Sequence, residues 1–315
     1  MRIDPFILLM LSLAGLGVVL PAQGAVLAVV TVAVQVGIVA LFFLYGARLS
    51  TTEVWNGIRV WRVHLVIITS TFVVFPLLGL ALTPLSPDVV SPALMAALLF
   101  VCVVPSTVQS SVAFTGIAGG DSAIAVVAAS ISSLLGVFLT PLLVALLIGG
   151  RAQVDAAAVV RIVGLLLVPF LAGQVARRWL RPWLVAHDRG LKRFDRSTVL
   201  LVVYAGFSRG TNAGVWSELR WTDAVVVAAV VAGLLAVSSA VCLLAGRPFP
   251  RGARVAIYFC GTNKSLAAGL PMASVLFSAA TFPLMILPLM LYHQLQLVVG
   301  SVVATRWARS APPAG

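Results

Sequence analysis

Two short polar clusters interrupt otherwise apolar stretches of this chain. The first reads PSTVQSS at 105–111 and the second reads GTNKS at 261–265. Pro105 and Thr262 lie 157 residues apart, about half of the 315-residue chain. Proline removes a backbone donor from a helix, and hydroxyl, amide and freed carbonyl oxygens are ligands for ions and polar solutes. The clusters therefore indicate a pair of related binding segments.

The sequence around the clusters is typical of a membrane protein. Hydrophobic residues make up 61% and charged residues 10%, and the mean hydropathy is +1.11. Soluble domains are about half apolar and about a quarter charged. Helices of roughly 20 apolar residues cross the bilayer core, so we predict an all-α membrane protein with ten transmembrane helices. The predicted spans are 6–20, 25–47, 63–83, 92–118, 122–149, 158–180, 197–214, 223–245, 253–279 and 282–304.

The basic residues predict the orientation of these spans. With the N-terminus inside, 16 of the 21 Lys and Arg residues fall on the cytoplasmic side, four fall outside, and Lys264 lies within a span. Since short cytoplasmic loops are rich in Lys and Arg, we expect a multi-pass cell-membrane protein with both termini cytoplasmic. The net charge of +12 then belongs to loops that face anionic lipid. No nucleic-acid partner is implied.

Ten spans divide into two sets of five with opposite orientation, the inverted repeat of many secondary transporters. The halves are 1–150 and 151–315, which places the polar clusters in the fourth and ninth spans. Lipid cannot satisfy freed backbone groups, so broken helices survive where they line a protein cavity. We predict that both spans unwind, near 105–109 and 261–264, and meet in mid-bilayer. Kinks without a binding role are the alternative.

Three stretches resemble the bile acid:sodium symporter family, especially its SBF-like branch. They are VPSTVQSSVAFTGIAGGDSAIAVVAASISSLLGVFLTPLL at 104–143, FCGTNKSLAAGLPMA at 259–273 and LPLMLYHQLQLVVG at 287–300. The resemblance extends over nearly the whole chain. It implies ten helices in an inverted repeat, with the fourth and ninth broken and crossing beside sodium ions.

The resemblance also implies a division into a panel and a core. The panel would comprise about 6–47 and 158–214, and the core about 63–149 and 223–304. The implied function is secondary transport of a small organic anion. The alternative is a non-transporting membrane regulator or scaffold linked to calcium homeostasis, as the resemblance to the vertebrate members suggests. Phosphate-binding loops and nucleophile motifs are absent from the sequence, so we expect no enzyme and no cofactor.

The resemblance implies particular ion ligands, and this chain departs from them. Ser110 and Ser111 stand where the family has a Ser-Asn pair, and the fifth span offers Ser130 and Ser133. The ninth span lacks the glutamate of the family and has Asn263 and Lys264 instead. The resulting candidates for substrate and ion binding are Pro105, Ser106, Thr107, Gln109, Ser110, Ser111, Ser130, Ser133, Thr71, Thr262, Asn263, Lys264 and Ser265.

Lys264 admits several interpretations. Ionisable residues within membrane spans are rare and usually functional. Its ammonium group is expected to take the place of the family's ion, bonded to hydroxyls of the fourth span and to carbonyls at the breaks. It would then carry a coupling proton, with His293 as a relay, or pair with an anionic substrate. The alternative is a lysine that only satisfies helix-end carbonyls. Sodium and proton both remain candidate coupling ions, but two-sodium symport is not expected without the acid. We also expect Gln109 and Asn263 to bridge the two breaks.

Overall fold

The computed structural model describes residues 5–48, 60–149, 156–214, 216, 220–278 and 280–310. Regular structure in these ranges is helical, without a strand, which confirms the predicted all-α class. Arg2, Arg59 and Arg151, which contributed to the predicted orientation, lie outside the described residues, as does Gly315.

Helices occupy all ten predicted segments, with ends that differ from the predicted ones by up to about ten residues. The α-helices are α1 Pro5–Val19, α2 Gly24–Arg48, α3 Trp61–Thr69, α4 Phe75–Ala81, α5 Pro92–Val103, α6 Val108–Ile117, α7 Ser122–Leu147, α8 Ala156–Ala186, α9 Asp188–Asn212, α10 Trp221–Gly246, α11 Arg251–Thr262, α12 Leu266–Leu276 and α13 Phe282–Arg309.

Several of these helices have the length and hydropathy of membrane spans. Within the described residues, α2, α7, α10, α13 and the helical stretch Trp61–Leu85 can each cross a bilayer. Helices α5 and α6 form a sixth crossing if the pair, which bends by 57°, counts as one broken span. The chain is therefore a multi-pass membrane protein, while the count of ten crossings and the five-plus-five repeat stay predictions.

A π-helical segment, Ser70–Val74, joins α3 to α4. The Phe75 N–H bonds to the Ser70 carbonyl, five residues back, instead of to Thr71. In this register the donor for the Thr71 carbonyl would be residue 76, but Pro76 has no N–H. The Thr71 carbonyl therefore needs a partner from another element.

By its contacts the chain forms two compact units. The first comprises Met1–Leu49, Val154–Trp221 and Leu270–Ile286. In it α2 packs along α8, and a Cβ atom added at Gly46 or Gly173 would collide with a backbone carbonyl of the facing helix. Small residues of this kind let membrane helices approach closely.

The second unit comprises Ser50–Gln153, Thr222–Gly269 and Leu287–Gly315. Its central element is α5, in which every residue from Leu94 to Val103 is buried. Helices α3, α7 and α11 share a cluster of buried side chains that includes Ala125, Phe259 and Cys260, and partly buried side chains of α6 pack against it. From Leu94 to Val103 α5 therefore has no exposed side, and its C-terminus ends among buried residues.

Candidate functional site

Two breaks in the helices of the second unit lie against each other. The first covers 104–107 between α5 and α6, where Pro105 disfavours helical geometry at the preceding residue, and Val104 is extended (φ −75°, ψ 150°). The second covers 263–265 between α11 and α12, and Asn263 is extended as well (φ −77°, ψ 143°). The Ser265 N–H donates to the Pro105 carbonyl at 2.8 Å. The expected unwinding is observed, and the two unwound segments are joined by a backbone hydrogen bond.

The ammonium group of Lys264 lies at this junction and is completely buried. Its Nζ donates to three main-chain carbonyls, those of Thr71 (3.1 Å), Cys102 (3.2 Å) and Val104 (3.0 Å). It also lies 3.9 Å from the centroid of the Phe75 ring, at the distance of a cation–π contact. An ammonium group has three N–H donors, so all three are used by protein carbonyls.

The three carbonyls are available because each has lost its helical donor. Cys102 and Val104 lie at the C-terminal end of α5, where the last carbonyls of a helix have no intrahelical partner and carry the negative end of its dipole. The Thr71 carbonyl is freed by the π-helical segment and Pro76. A single cation thus satisfies orphan acceptors from two separate spans.

Helix α13 holds the backbone of Lys264 in place. The Gln296 side chain accepts from the Lys264 N–H (2.7 Å) and donates to the Lys264 carbonyl (2.9 Å). His293 Nδ1 lies 2.9 Å from Gln296 Nε2 and 3.4 Å from the Lys264 carbonyl oxygen. Tyr292 donates to the Thr262 carbonyl at 2.7 Å. His293 therefore contacts the carbonyl of Lys264, and the proton relay from Lys264 to His293 stays a prediction.

The serines after the first break bond to α11 and to Asn263, not to Lys264. Asn263 Nδ2 donates to Ser110 (3.3 Å) and Ser111 (3.1 Å). Ser111 donates to the Phe259 carbonyl (3.1 Å) and Ser106 to the Cys260 carbonyl (2.6 Å). The expectation that the ammonium binds hydroxyls of the fourth span is wrong, because Asn263 and α11 take up these hydroxyls. The ammonium binds the expected carbonyls at the end of α5 and, in addition, the Thr71 carbonyl.

Helix α7 meets the first break along one stripe of small and polar residues. Ser132 accepts from the Ser106 N–H (3.0 Å), and Thr140 donates to the Val103 carbonyl (2.8 Å). Between them, a Cβ atom at Gly136 would lie 2.7 Å from the Pro105 ring. Sequence reasoning selected Ser130 and Ser133, which are half-buried and make no hydrogen bond to the break in the described structure. The spacing of 132, 136 and 140 is the signal that would have identified the correct face.

Comparison with known proteins identifies the family of this chain. The sequence pattern of the SBF-like CPA transporter family matches residues 4–309. The chain belongs to this family. An uncharacterized protein from Pseudomonas aeruginosa is 44% identical over 310 residues, covering 97% of this chain and 93% of the relative. The Escherichia coli K12 protein named "Putative symporter YfeH" is 39% identical over 314 residues, 98% and 93% of the two chains. "Sodium/bile acid cotransporter 7-B" of Xenopus laevis is 28% identical over 275 residues, 85% and 80%.

The remaining predicted ligands of this SBF-like protein face their own helices or the surface. The Thr71 hydroxyl donates to the Ile67 carbonyl (2.9 Å) and the Thr262 hydroxyl to the Tyr258 carbonyl (2.7 Å). Thr107 is buried, whereas Gln109 is exposed. Of the two amides expected to bridge the breaks, Asn263 does so, and Gln109 does not because its side chain lies at the surface.

Carboxylates are missing from the junction in this SBF-like protein. The sequence of α11, α12 and the break between them contains neither Asp nor Glu. The described residues contain no group of three or more His, Cys, Asp or Glu side chains able to hold a metal ion. Both ion pairs found in the described part of the chain, Arg48–Asp195 and Lys192–Asp188, belong to the first unit. The charge of Lys264 is therefore balanced by carbonyl dipoles.

Proposed function

We propose that this protein is a secondary transporter of a small organic anion in which the Lys264 ammonium takes the position of a coupling cation. The observation that carries the proposal is the completely buried Nζ bonded to three main-chain carbonyls where both helix breaks meet. The family and the names of its relatives support transport. Broken helices in two spans are the arrangement expected of a transport site.

Sodium binding at this junction is disfavoured by the ammonium group. Two unit charges about 4 Å apart repel by about 4 kcal/mol at an effective dielectric of about 20. The carbonyls that face Nζ are occupied, and the nearby hydroxyls of Ser106, Ser111 and Thr262 are committed to other carbonyls. Hard cations need several free oxygens, usually with a carboxylate among them. We therefore propose transport that does not require sodium, although sodium appears in the names of some relatives.

An anionic substrate fits the charge of the site. Lys264 brings one positive charge to the junction, and no acid of α11 or α12 opposes it. Its three donors are already used, so in this conformation the lysine acts through its electrostatic potential instead of by direct bonding. The bile acid named as the substrate of some relatives is itself an organic acid. Direct pairing of Lys264 with substrate would require it to leave its carbonyls in another conformation.

Uptake by proteoliposomes tests the proposal. The purified full-length protein is reconstituted, and accumulation of a panel of labelled organic anions is measured with sodium, proton and voltage gradients imposed one at a time. We expect uptake of at least one anion that is unchanged when choline replaces sodium. Lys264→Gln should abolish that uptake or its dependence on pH, measured per folded protein.

The matched control is Lys192→Gln, which removes an exposed lysine of the first unit that pairs with Asp188. It should transport like the unmodified protein. Uptake that rises steeply with sodium at fixed pH and voltage would contradict the role of Lys264. Absence of anion uptake under every gradient would contradict transport itself and would favour a regulator or scaffold.

A further inference from the structure

A basic cavity of about 410 Å³ opens where the ends of α10, α11 and α13 meet in the second unit, apart from the Lys264 junction. Three arginines line it: Arg247 just after α10, and Arg251 and Arg254 in the first turn of α11. Leu243 and Trp307 form its apolar wall. The volume lies within the range of about 300–1,000 Å³ typical of ligand sites.

Two of the three guanidinium groups, those of Arg251 and Arg254, are held by hydrogen bonds but keep free donors. Arg251 donates to the carbonyls of Trp307 (2.7 Å) and Ser310 (3.1 Å), which caps the end of α13. Arg254 Nη2 donates to the Arg247 carbonyl at 3.2 Å. Each guanidinium has five N–H donors, so these contacts leave others unused. Within the described part of the chain, the Arg247 guanidinium has neither a hydrogen-bond nor an ion-pair partner.

Acidic side chains of the described residues form no ion pair with this cluster. Both ion pairs of the described residues lie in the first unit. Asp121 comes close to α11, since its N–H bonds to the Gly252 carbonyl at 3.0 Å, but its carboxylate accepts from the Ile124 N–H at the start of α7. In addition, no side chain caps the N-terminus of α11, where the helix dipole is positive. Among the described residues, no carboxylate forms an ion pair with the three positive charges of the cavity.

From this arrangement we infer that the cavity binds the phosphoryl group of an anionic phospholipid. Guanidinium groups match phosphate oxygens in geometry and charge. Leu243 and Trp307 supply the apolar surface that the adjoining glycerol and upper acyl chain would cover, and tryptophan is enriched at membrane interfaces. Basic pockets between helix ends on the cytoplasmic side are known binding places for anionic headgroups, and the charge distribution of the sequence predicts that side for these arginines. A soluble phosphoryl compound has the same phosphoryl group as the lipid headgroup but has no acyl chain.

Lipid titration of the full-length protein in a neutral detergent tests the inference. Binding of dioleoylphosphatidylglycerol is measured by native mass spectrometry, with dioleoylphosphatidylcholine as the neutral lipid and glycerol 3-phosphate as the soluble headgroup. We expect the anionic lipid to bind at least tenfold more tightly than the neutral one. Arg247→Gln should weaken it about tenfold, the loss expected for one charge-assisted contact, whereas Arg247→Lys should weaken it less.

Arg306→Gln is the matched control. Arg306 carries the same charge as Arg247 and lies in the last turn of α13, the end of that helix at which the cavity opens, but it does not line the cavity. It should leave lipid affinity unchanged. Equal losses in Arg247→Gln and Arg306→Gln would show general surface attraction and overturn the inference. Equal affinity for the two lipids would overturn it too. Competition by glycerol 3-phosphate at concentrations comparable to the lipid would assign the cavity to a soluble phosphoryl compound and overturn the lipid assignment.

Discussion

Replacing Lys264 by alanine should create a sodium site that the unmodified protein lacks. The change removes the cation and leaves the carbonyls of Thr71, Cys102 and Val104 facing the vacated space. A buried carbonyl without a donor costs about 1 kcal/mol or more, so roughly 3 kcal/mol or more of stability is lost with all three. A sodium ion that enters the space restores a cation to these oxygens and recovers part of the loss.

The size of the recovery follows from binding linkage. A sodium concentration ten times its dissociation constant stabilises the folded state by about 1.4 kcal/mol. For a chain of 315 residues, with an unfolding entropy of about 2.1 cal/mol/K per residue, this raises the midpoint of thermal unfolding by about 2 °C. The measurement is thermal unfolding of Lys264→Ala in sodium chloride and in choline chloride at equal ionic strength.

Two further proteins make the result interpretable. Two proteins should show no difference in unfolding temperature between sodium chloride and choline chloride. They are the unmodified protein and Lys192→Ala, which loses an exposed lysine. If the alanine variant does not fold, Lys264→Gln replaces it in the unfolding measurement, because glutamine fills part of the space and keeps N–H donors. The unfolding temperature of Lys264→Gln should rise less with sodium than that of Lys264→Ala. A sodium shift in the unmodified protein as large as that in the variant would refute the reasoning, since a sodium site would then coexist with the ammonium group.

The remaining predictions concern topology and the stripe on α7. Reporter fusions after Gly315 and within the basic segment 181–196, which lies between the sixth and seventh predicted spans, should both report the cytoplasm, as the basic residues indicate. A periplasmic signal from either would contradict the orientation and the inverted repeat. Ser132→Ala should lower the free energy of unfolding by about 1–3 kcal/mol because the Ser106 N–H loses its buried acceptor. Ser130→Ala is the matched control and should change the free energy of unfolding by less than about 0.5 kcal/mol. Equal effects of the two substitutions would mean that the hydrogen bond from Ser106 to Ser132 adds nothing to stability.

The positions of the two breaks were accessible from sequence because proline and clustered polar residues are visible there. The predicted segments, 105–109 and 261–264, overlap the observed ones at 104–107 and 263–265. Burial of Lys264 was likewise predictable, since it lies inside an apolar segment. These features depend on local chemistry, which sequence records directly.

The ligands of Lys264 were less accessible. All three are main-chain carbonyls, and every residue has one, so residue type does not single out Thr71, Cys102 or Val104. The π-helical register that frees the Thr71 carbonyl depends on how the third span packs. The choice between Ser130, Ser132 and Ser133 likewise depends on which face of α7 meets the break, and neighbouring serines offer no local basis for that choice.

A cation that is part of the chain has consequences for energy conversion. Dissolved sodium has a concentration on each side of the membrane, and a carrier that binds and releases it converts that difference into work. The Lys264 ammonium is covalently attached and is never released, so it has no concentration on either side. A carrier built around it draws on a proton gradient through this lysine only if the amine exchanges its proton with one side and then with the other during each cycle. If the proton stays bound, the same protein is an exchanger or a facilitator, and the membrane potential and the gradients of the transported or exchanged solutes set the limit of accumulation.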